Sequence, residues 1–406
     1  MNNTYIELVE QLKKRKIIAF GCGGVFEKFM LRYPSMKDNI SFFIDNNLTG
    51  YKTIDGWGQL PVYAPSYLEK CDLDHYIIGF FTEKWEKMKN QVDSILNMEY
   101  EFFYYPLEID YKIEKEISYQ HRLIAPIMEV IGDGNLLDKT LELTGKTNRC
   151  SLLESLKNKE IYSIPRIPVV LTPKCTLKCK DCNNLMWKFQ EYKELHSQKI
   201  INSLKAIIQQ FDFVPCVELI GGEPFMASIL KEILAFLCEE KKVLSIEITT
   251  NATVVPNDEI IDLLKNEKVI VRISDYSCVI KQDRFISSME KNRIHYVELP
   301  MEWWISPGGT EKRGRKVESL VKQYYACASG YLCKTLWENK LYPCARAASL
   351  KELDIYADCA YVDLENQKKL RERIINFFLA PTCGACDYCD IALEHKNYVE
   401  PAIQMQ

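Results

Sequence analysis

The sequence predicts an α/β protein in three parts: a small parallel sheet, a partial (β/α) barrel, and a small cysteine-rich C-terminal domain. Three observations predict it. Short apolar strand runs alternate with helical stretches from residue 16 to 110, and again from Ile167 onward. In the second series, polar and glycine-rich motifs fall directly after the strand runs, where (β/α) barrels place their ligands. Cysteines also collect in three groups, the first of them just past the first strand of that series.

The bulk composition excludes several classes. The chain has 406 residues, 47% hydrophobic and 27% charged, which suits two or three globular domains. A net charge of −4 gives no basic footprint, so nucleic acid is excluded as a partner. No apolar run approaches the roughly 20 residues that cross a bilayer. The N-terminus, MNNTYIELVEQLKKRK, lacks a secretory h-region and reads as an amphipathic helix with Tyr5, Leu8, Val9 and Leu12 on one stripe. The expected location is cytoplasmic, where the 16 cysteines stay reduced and clustered ones bind metal. Cys22, Cys71, Cys150, Cys216, Cys238, Cys278 and Cys359 are scattered and read as small buried hydrophobes.

Residues 1–112 form the first module, Rossmann-like in pattern. Its strand runs are KIIAFGCGG, ISFFIDNN, LPVYAP and HYIIGFF. The turn from Gly21 to Phe26 keeps two of the dinucleotide glycines, but Phe26 stands where close helix packing demands the third. NAD is therefore not expected. The turn at Gly21–Gly24 still offers backbone N–H groups to an anion, and Asp45 ends the second strand where it could accept from a ribose or sugar hydroxyl. Residues 113–164 read as a polar helical linker. Residues 165–310 carry the barrel strands IPVVLT, CVELIGG, LSIEITTN, VIVRIS and HYVELP, and residues 311–406 form the last domain.

The stretch TPKCTLKCKDCN places Cys175, Cys179 and Cys182 together. Three thiolates holding a four-iron cubane leave one iron open to another ligand. A catalytic zinc site would recruit His or carboxylate as well, and no His is near. With the strand-end motifs behind it, this C-x3-C-x2-C run resembles the radical S-adenosylmethionine (SAM) superfamily. The resemblance implies a 4Fe–4S cluster whose open iron takes the methionine amino and carboxylate groups of SAM. It implies that Gly221, Gly222, Glu223 and Pro224, a GGEP motif, hold the methionine amino group. Thr249, Thr250 and Asn251 would meet the ribose, Asn251 foremost. Arg272 and Ser274 of VRISDYS complete the cofactor contacts, and Asp275 either faces the substrate as the catalytic acid or is a solvated loop residue. Trp303 and Trp304 could wall the substrate or pack in the core. The implied chemistry is hydrogen abstraction by a 5′-deoxyadenosyl radical, fed by a flavodoxin- or ferredoxin-type electron donor.

A second cysteine set lies in CASGYLCKTLWENKLYPC and PTCGACDYCD. Glu338-Asn339 reads as a two-residue hairpin turn, with Asn tolerating positive φ, and counting outward sets Cys333 opposite Cys344. A hairpin plus a distant C-x2-C describes either a zinc ribbon or a cubane site. The segment resembles the SPASM and twitch extensions of radical SAM enzymes, which implies one auxiliary 4Fe–4S cluster. Family spacing favours Cys327 with Cys344, Asn339 replacing a glycine, and Cys386 with Cys389; cross-strand geometry favours Cys333, and Cys383 is an alternative within its triplet.

These features lead to dehydrogenation or epimerisation of a sugar, aminocyclitol or nucleotide-linked sugar. The alternative is maturation of a ribosomally made peptide, but such enzymes usually carry an N-terminal winged-helix domain, which the βαβ pattern of residues 16–110 does not match. A plain electron carrier would have no use for the strand-end motifs.

Overall fold

The computed structural model describes residues 12, 15–23, 25–26, 29–30, 34–54, 58–82, 85–105, 119–132, 134–190, 194–393 and 396–405. The chain divides into two compact units, Met1–His121 and Arg122–Gln406.

In the first unit β1 (Lys16–Phe20) lies between β2 (Ile40–Ile44) and β5 (Tyr76–Phe81), parallel to both. β4 (Gly58–Tyr63) extends the β2 side, and β6 (Phe102–Tyr105) the β5 side. β3 (Gly50–Ile54) runs antiparallel to β4 at the edge. Four of these strands coincide with the expected apolar runs. β3 and β6 were not expected: GYKTI is a half-polar edge strand, and FFYY is too short to show a period. Alternate residues feed two apolar clusters, one on each face, with Ile17, Ala19 and Phe43 in one and Ile18, Phe20 and Ile44 in the other.

Phe26 is fully buried, edge-on to Phe43 at 4.6 Å and to Phe81 at 5.0 Å between ring centres. A ring thus fills the space that a third dinucleotide glycine would leave for close approach. Asp45 differs from expectation. Its Oδ1 accepts from the backbone N–H of Asn47 (2.9 Å) and Leu48 (3.2 Å), and its Oδ2 faces the Cys22 N–H, so the carboxylate shapes its own turn. Gly24 and the stripe residues Tyr5, Leu8 and Val9 lie outside the described residues, while Leu12 is buried.

The second unit carries five parallel strands: β7 (Arg166–Val170), β8 (Val214–Ile220), β9 (Val243–Thr250), β10 (Val269–Asp275) and β11 (Tyr296–Pro300). Helices such as Ser197–Ile208 connect them, burying Ile200, Leu204, Ile207 and Ile208 along one stripe. β12 (Trp304–Ile305) leaves the sheet and pairs with β16 (Tyr398–Val399). Beyond β7 the sheet continues through β13 (Thr335–Trp337), β14 (Lys340–Tyr342) and β15 (Val362–Asp363), so it runs across residue 310 without a break. The segment read as a linker holds helices Ala125–Ile131, Asn135–Thr144 and Arg149–Lys157 within this unit; the first packs on β8 and the second on β9.

The β13–β14 hairpin has the expected two-residue turn, pairing Trp337 with Lys340 and Thr335 with Tyr342. Its positive φ falls on Glu338 (50°), however, where Asn339 had been expected to take it. Among the described residues no helix is long and apolar enough to cross a membrane.

Replacing Phe26 by Ala removes the ring that joins both strands flanking β1. The expected loss is about 3–5 kcal/mol. Hydrogen exchange of β1 and β5 amides in the full chain measures it, and an acceleration of about a hundredfold or more is expected. Unchanged exchange would contradict the packing role.

Candidate functional site

The loop after β7 carries Cys175, Cys179 and Cys182, and the glycines after β8 hold it. The Gly222 N–H donates to the Thr172 carbonyl (2.8 Å), and the Glu223 N–H to the Lys174 carbonyl (2.7 Å). A Cβ on Gly221 would stand 2.4 Å from the Thr172 oxygen; one on Gly222 would stand 2.2 Å from the Lys174 oxygen and 2.8 Å from the Cys175 Cβ. The close approach these glycines permit is therefore that of the cysteine loop itself. Pro224 is buried and starts a short 3-10 turn that carries the chain away from the rim.

Glu223 lies inside the rim. Its side chain is 0% exposed, and it accepts from Thr250 Oγ1 (2.8 Å), the Asn251 N–H (2.9 Å) and the Phe225 N–H (3.2 Å). Burial pushes its carboxyl up to about 7, with these hydrogen bonds opposing. The carboxylate ties β8 to β9, with three of its lone pairs engaged in doing so. Asn251 in turn reaches the cysteine loop, its Nδ2 donating to Thr176 Oγ1 (3.2 Å) and lying 3.6 Å from Cys175 Sγ.

The neighbouring strand joins through a residue that sequence reasoning missed. Gln282 is 4% exposed; its Nε2 donates to the carbonyls of Asn251 (2.9 Å) and Ser274 (2.8 Å), and its Oε1 accepts from the Tyr276 N–H (3.0 Å). The ends of β8, β9 and β10 and the cysteine loop thus share one hydrogen-bonded lattice. Ser274 is buried within it. Asp275 is partly exposed and accepts from the Ser277 N–H (2.9 Å); hydrogen bonds from the Ser277 side chain and backbone hold its carboxyl below the usual range. Arg272 points elsewhere: its Nη1 donates to Glu247 Oε2 (2.6 Å), which also pairs with Arg166, while Arg166 lies 3.5 Å from Glu218. Its guanidinium belongs to an internal ion-pair network, which corrects its expected cofactor role.

The thiols themselves are protected. Burial pushes Cys175 up to about 12 and also raises Cys179, so a bound metal is what would drive off their protons. The Leu177 N–H faces Cys175 Sγ at 3.4 Å, and Gln404 Nε2 faces Cys179 Sγ at 3.4 Å. Gln404 arrives on a C-terminal strap. The Lys180 N–H donates to the Ile403 carbonyl (2.8 Å), the Met405 N–H to that of Lys178 (2.9 Å), and the Lys178 N–H to Gln404 Oε1 (2.7 Å). Tyr276 lies beside the three cysteines, edge-on to Trp304 at 5.6 Å, whereas Trp303 is 62% exposed. Among the described residues no three His, Cys, Asp or Glu side chains meet closely enough to hold a single metal ion. Three thiols without an imidazole beside them fit the donor set of an iron–sulfur cluster with one open iron.

A second cavity is lined by Cys327, Cys344, Cys383, Cys386, Cys389 and Arg346. Cys333 is not among its walls, a correction to the cross-strand count. Strand pairing ends at Thr335–Tyr342; Cys333 bridges Arg166 instead, with Glu218 and Arg166 beside its thiol. Cys344 meanwhile turns to cap the helix Ala345–Glu352, accepting from the Ala347 N–H at 3.4 Å. A hydrogen bond from Cys386 holds Cys383 below the usual thiol range and pushes Cys386 up. Two guanidinium groups fix the C-x2-C-x2-C loop. Arg315 Nη1 donates to the carbonyls of Cys386 (3.0 Å) and Cys389 (2.8 Å), and Arg346 Nη2 to those of Tyr388 (3.0 Å), Gly308 (3.1 Å) and Gly309 (2.7 Å). Five thiols with no His among the lining residues fit a four-thiolate cluster, with one cysteine to spare.

Residues 169–274 match the Radical SAM superfamily. No curated protein matches the chain. Among solved structures it is similar to Streptococcus suis SuiB bound to S-adenosylmethionine (14% identity, TM-score 0.34, 56% of this chain and 68% of that one). It is also similar to anSMEcpe with bound AdoMet and Cp18Cys peptide (13%, 0.35, 55% and 87%) and to BtrN in complex with AdoMet and 2-DOIA (12%, 0.36, 57% and 96%).

The glycine clasp makes a selective prediction. Gly222→Ala forces its Cβ into the Lys174 carbonyl and so displaces the cysteine loop. Anaerobically purified protein is expected to lose about four irons per chain relative to the parent. Full iron in that variant would contradict the clasp.

Proposed function

We propose that the chain is a radical SAM enzyme that abstracts hydrogen from a sugar, aminocyclitol or nucleotide-linked sugar in a dehydrogenation or epimerisation. The observation that carries the class is the rim itself: three thiols, a double-glycine clasp and the Asn251–Gln282 lattice meet at the ends of adjacent parallel strands. Cys175, Cys179 and Cys182 would hold the first cluster. When bound, that cluster and SAM supply the 5′-deoxyadenosyl radical. The protein's own work is to orient and to exclude water.

In this reading the backbone around Gly221 and Gly222 faces the methionine end of SAM, and Asn251 and Ser274 face its nucleoside. Glu223 acts one step back, fixing Asn251 and Thr250. Asp275, at the rim and ionised, is placed to meet substrate, with Tyr276 and Trp304 as wall. Four of the five cavity cysteines would hold one auxiliary 4Fe–4S cluster, and a flavodoxin- or ferredoxin-type protein would supply electrons. The sugar reading draws support from the first unit, whose described residues form a mostly parallel sheet that reverses strand order at β1, the usual place for a ligand crevice. Peptide maturation is the outcome that would replace it.

Anaerobically reconstituted protein with dithionite is expected to cleave SAM to 5′-deoxyadenosine. Changing Cys175, Cys179 and Cys182 together to Ala is expected to abolish cleavage while about four irons per chain remain. Undiminished cleavage would falsify the assignment, and zinc in place of the remaining iron would restore the ribbon reading of the second cavity.

Calorimetry on the full chain tests the first unit. With Phe26 filling the dinucleotide position and Asp45 committed to its turn, no tight NAD(H) binding is expected. A nucleotide sugar binding more tightly than NAD(H) supports the substrate reading, and the reverse order contradicts it.

A further inference from the structure

Behind the wall of the second cavity lies an arginine without a counter-charge. Arg122 is 2% exposed, and among the described residues its Nε, Nη1 and Nη2 have no hydrogen-bond partner. Its guanidinium carbon lies 4.5 Å from the ring centres of both Tyr324 and Tyr325. Such a stack softens the cost of burying a cation but supplies no counter-charge. Tyr324 itself lines the cavity.

Two further cations are buried close by. Lys334 is 0% exposed; its Nζ donates to the Gly330 carbonyl (2.7 Å), Tyr324 Oη (3.1 Å) and the Cys333 carbonyl (3.3 Å), and lies 4.9 Å from the Phe378 ring centre. Gly330 also lines the cavity. Arg346, 2% exposed, donates only to backbone carbonyls. The nearby carboxylates are engaged elsewhere. Asp387 accepts from the N–H groups of Gly314 (3.1 Å) and Arg315 (2.8 Å), and Asp390 pairs with Arg313 and Arg315.

Three buried cations therefore surround a cavity of five cysteines, and among the described residues none of the three has a carboxylate partner. A core does not retain such an excess of positive charge without an anion to face it. Among the described residues that line the cavity there is no Asp or Glu, so the cysteines, as thiolates, and the group they would hold supply the anion. We propose that Arg122, Lys334 and Arg346 are positioning residues that balance the negative charge of the auxiliary cluster and raise its reduction potential. This rests on the reading of the cavity as an iron–sulfur site. Reduction adds one negative charge to a cluster already negative through its four thiolates, and fixed cations stabilise that reduced state.

The test uses full-length protein carrying the Cys175, Cys179 and Cys182 to Ala changes, so that one cluster titrates. Its midpoint potential is read by EPR during a redox titration, together with iron per chain. Lys334→Met and Arg122→Met are each expected to shift the midpoint to more negative potential, and together to shift it further, with iron unchanged. Arg122→Lys, which keeps the charge, is expected to stay near the parent. Unmoved midpoints in iron-loaded Met variants would overturn the proposal. So would equal shifts from Arg122→Lys and Arg122→Met, which would assign the effect to packing. Loss of iron from the Met variants alone would overturn it too, giving the cations a role in assembly. A parent protein that binds zinc or no iron would instead overturn the cluster reading beneath it.

Discussion

The first site depends on two backbone hydrogen bonds, from Gly222 to Thr172 and from Glu223 to Lys174. They join the end of β8 to the cysteine loop at a distance no side chain would allow. From that clasp the rest follows in order. Glu223 is carried into the interior, where it fixes Thr250 and Asn251; Asn251 reaches back to Thr176 and Cys175; Gln282 extends the lattice to Ser274 and Tyr276. The C-terminal strap closes the remaining side, with Gln404 on Cys179. A thiol set held from both sides is preorganised, so little conformational entropy remains to be lost when a ligand binds.

Both cysteine sites handle charge in the same way and on different scales. At the first, buried thiols meet a few N–H donors, with a cofactor expected to complete the coordination. At the second, helix N-terminus, guanidinium groups and a buried lysine stand around five cysteines. The difference is physically sensible. A cluster with an open iron would gain a ligand and lose it in turnover, whereas one closed by four thiolates would keep all four anionic ligands in either redox state and so calls for a permanent counterweight.

Much of the sheet framework was legible because its strands are short, mainly apolar runs that end at turn residues. The runs at residues 167–172, 216–222, 244–251, 269–274 and 295–300 all coincide with strands, and the cysteine loop and GGEP do stand at adjacent strand ends. What was not legible depended on distance or direction. Gln282 and Gln404 are single polar residues whose partners lie far away in sequence, and nothing local marks them. Cys333 was misplaced because strand pairing was extended past Tyr342, where Pro343 and the helix cap at Cys344 end it. Arg272 did leave a signal. It shares a face with Ser274 but sits one pleat lower, level with Thr249 and diagonal to Glu247 on the neighbouring strand, and the acids at 218 and 247, register partners on β8 and β9, announce an ion-pair network.

The central claim is that the chain holds two clusters of different kinds, one open to SAM and one closed. EPR of the anaerobically reduced full-length protein, with and without added SAM, tests it most directly. The account predicts two superimposed cluster signals, of which SAM changes one and leaves the other untouched; the SAM-sensitive signal is the one lost when Cys175, Cys179 and Cys182 become Ala. A spectrum that SAM leaves wholly unchanged, or one in which the surviving signal is the sensitive one, would contradict it.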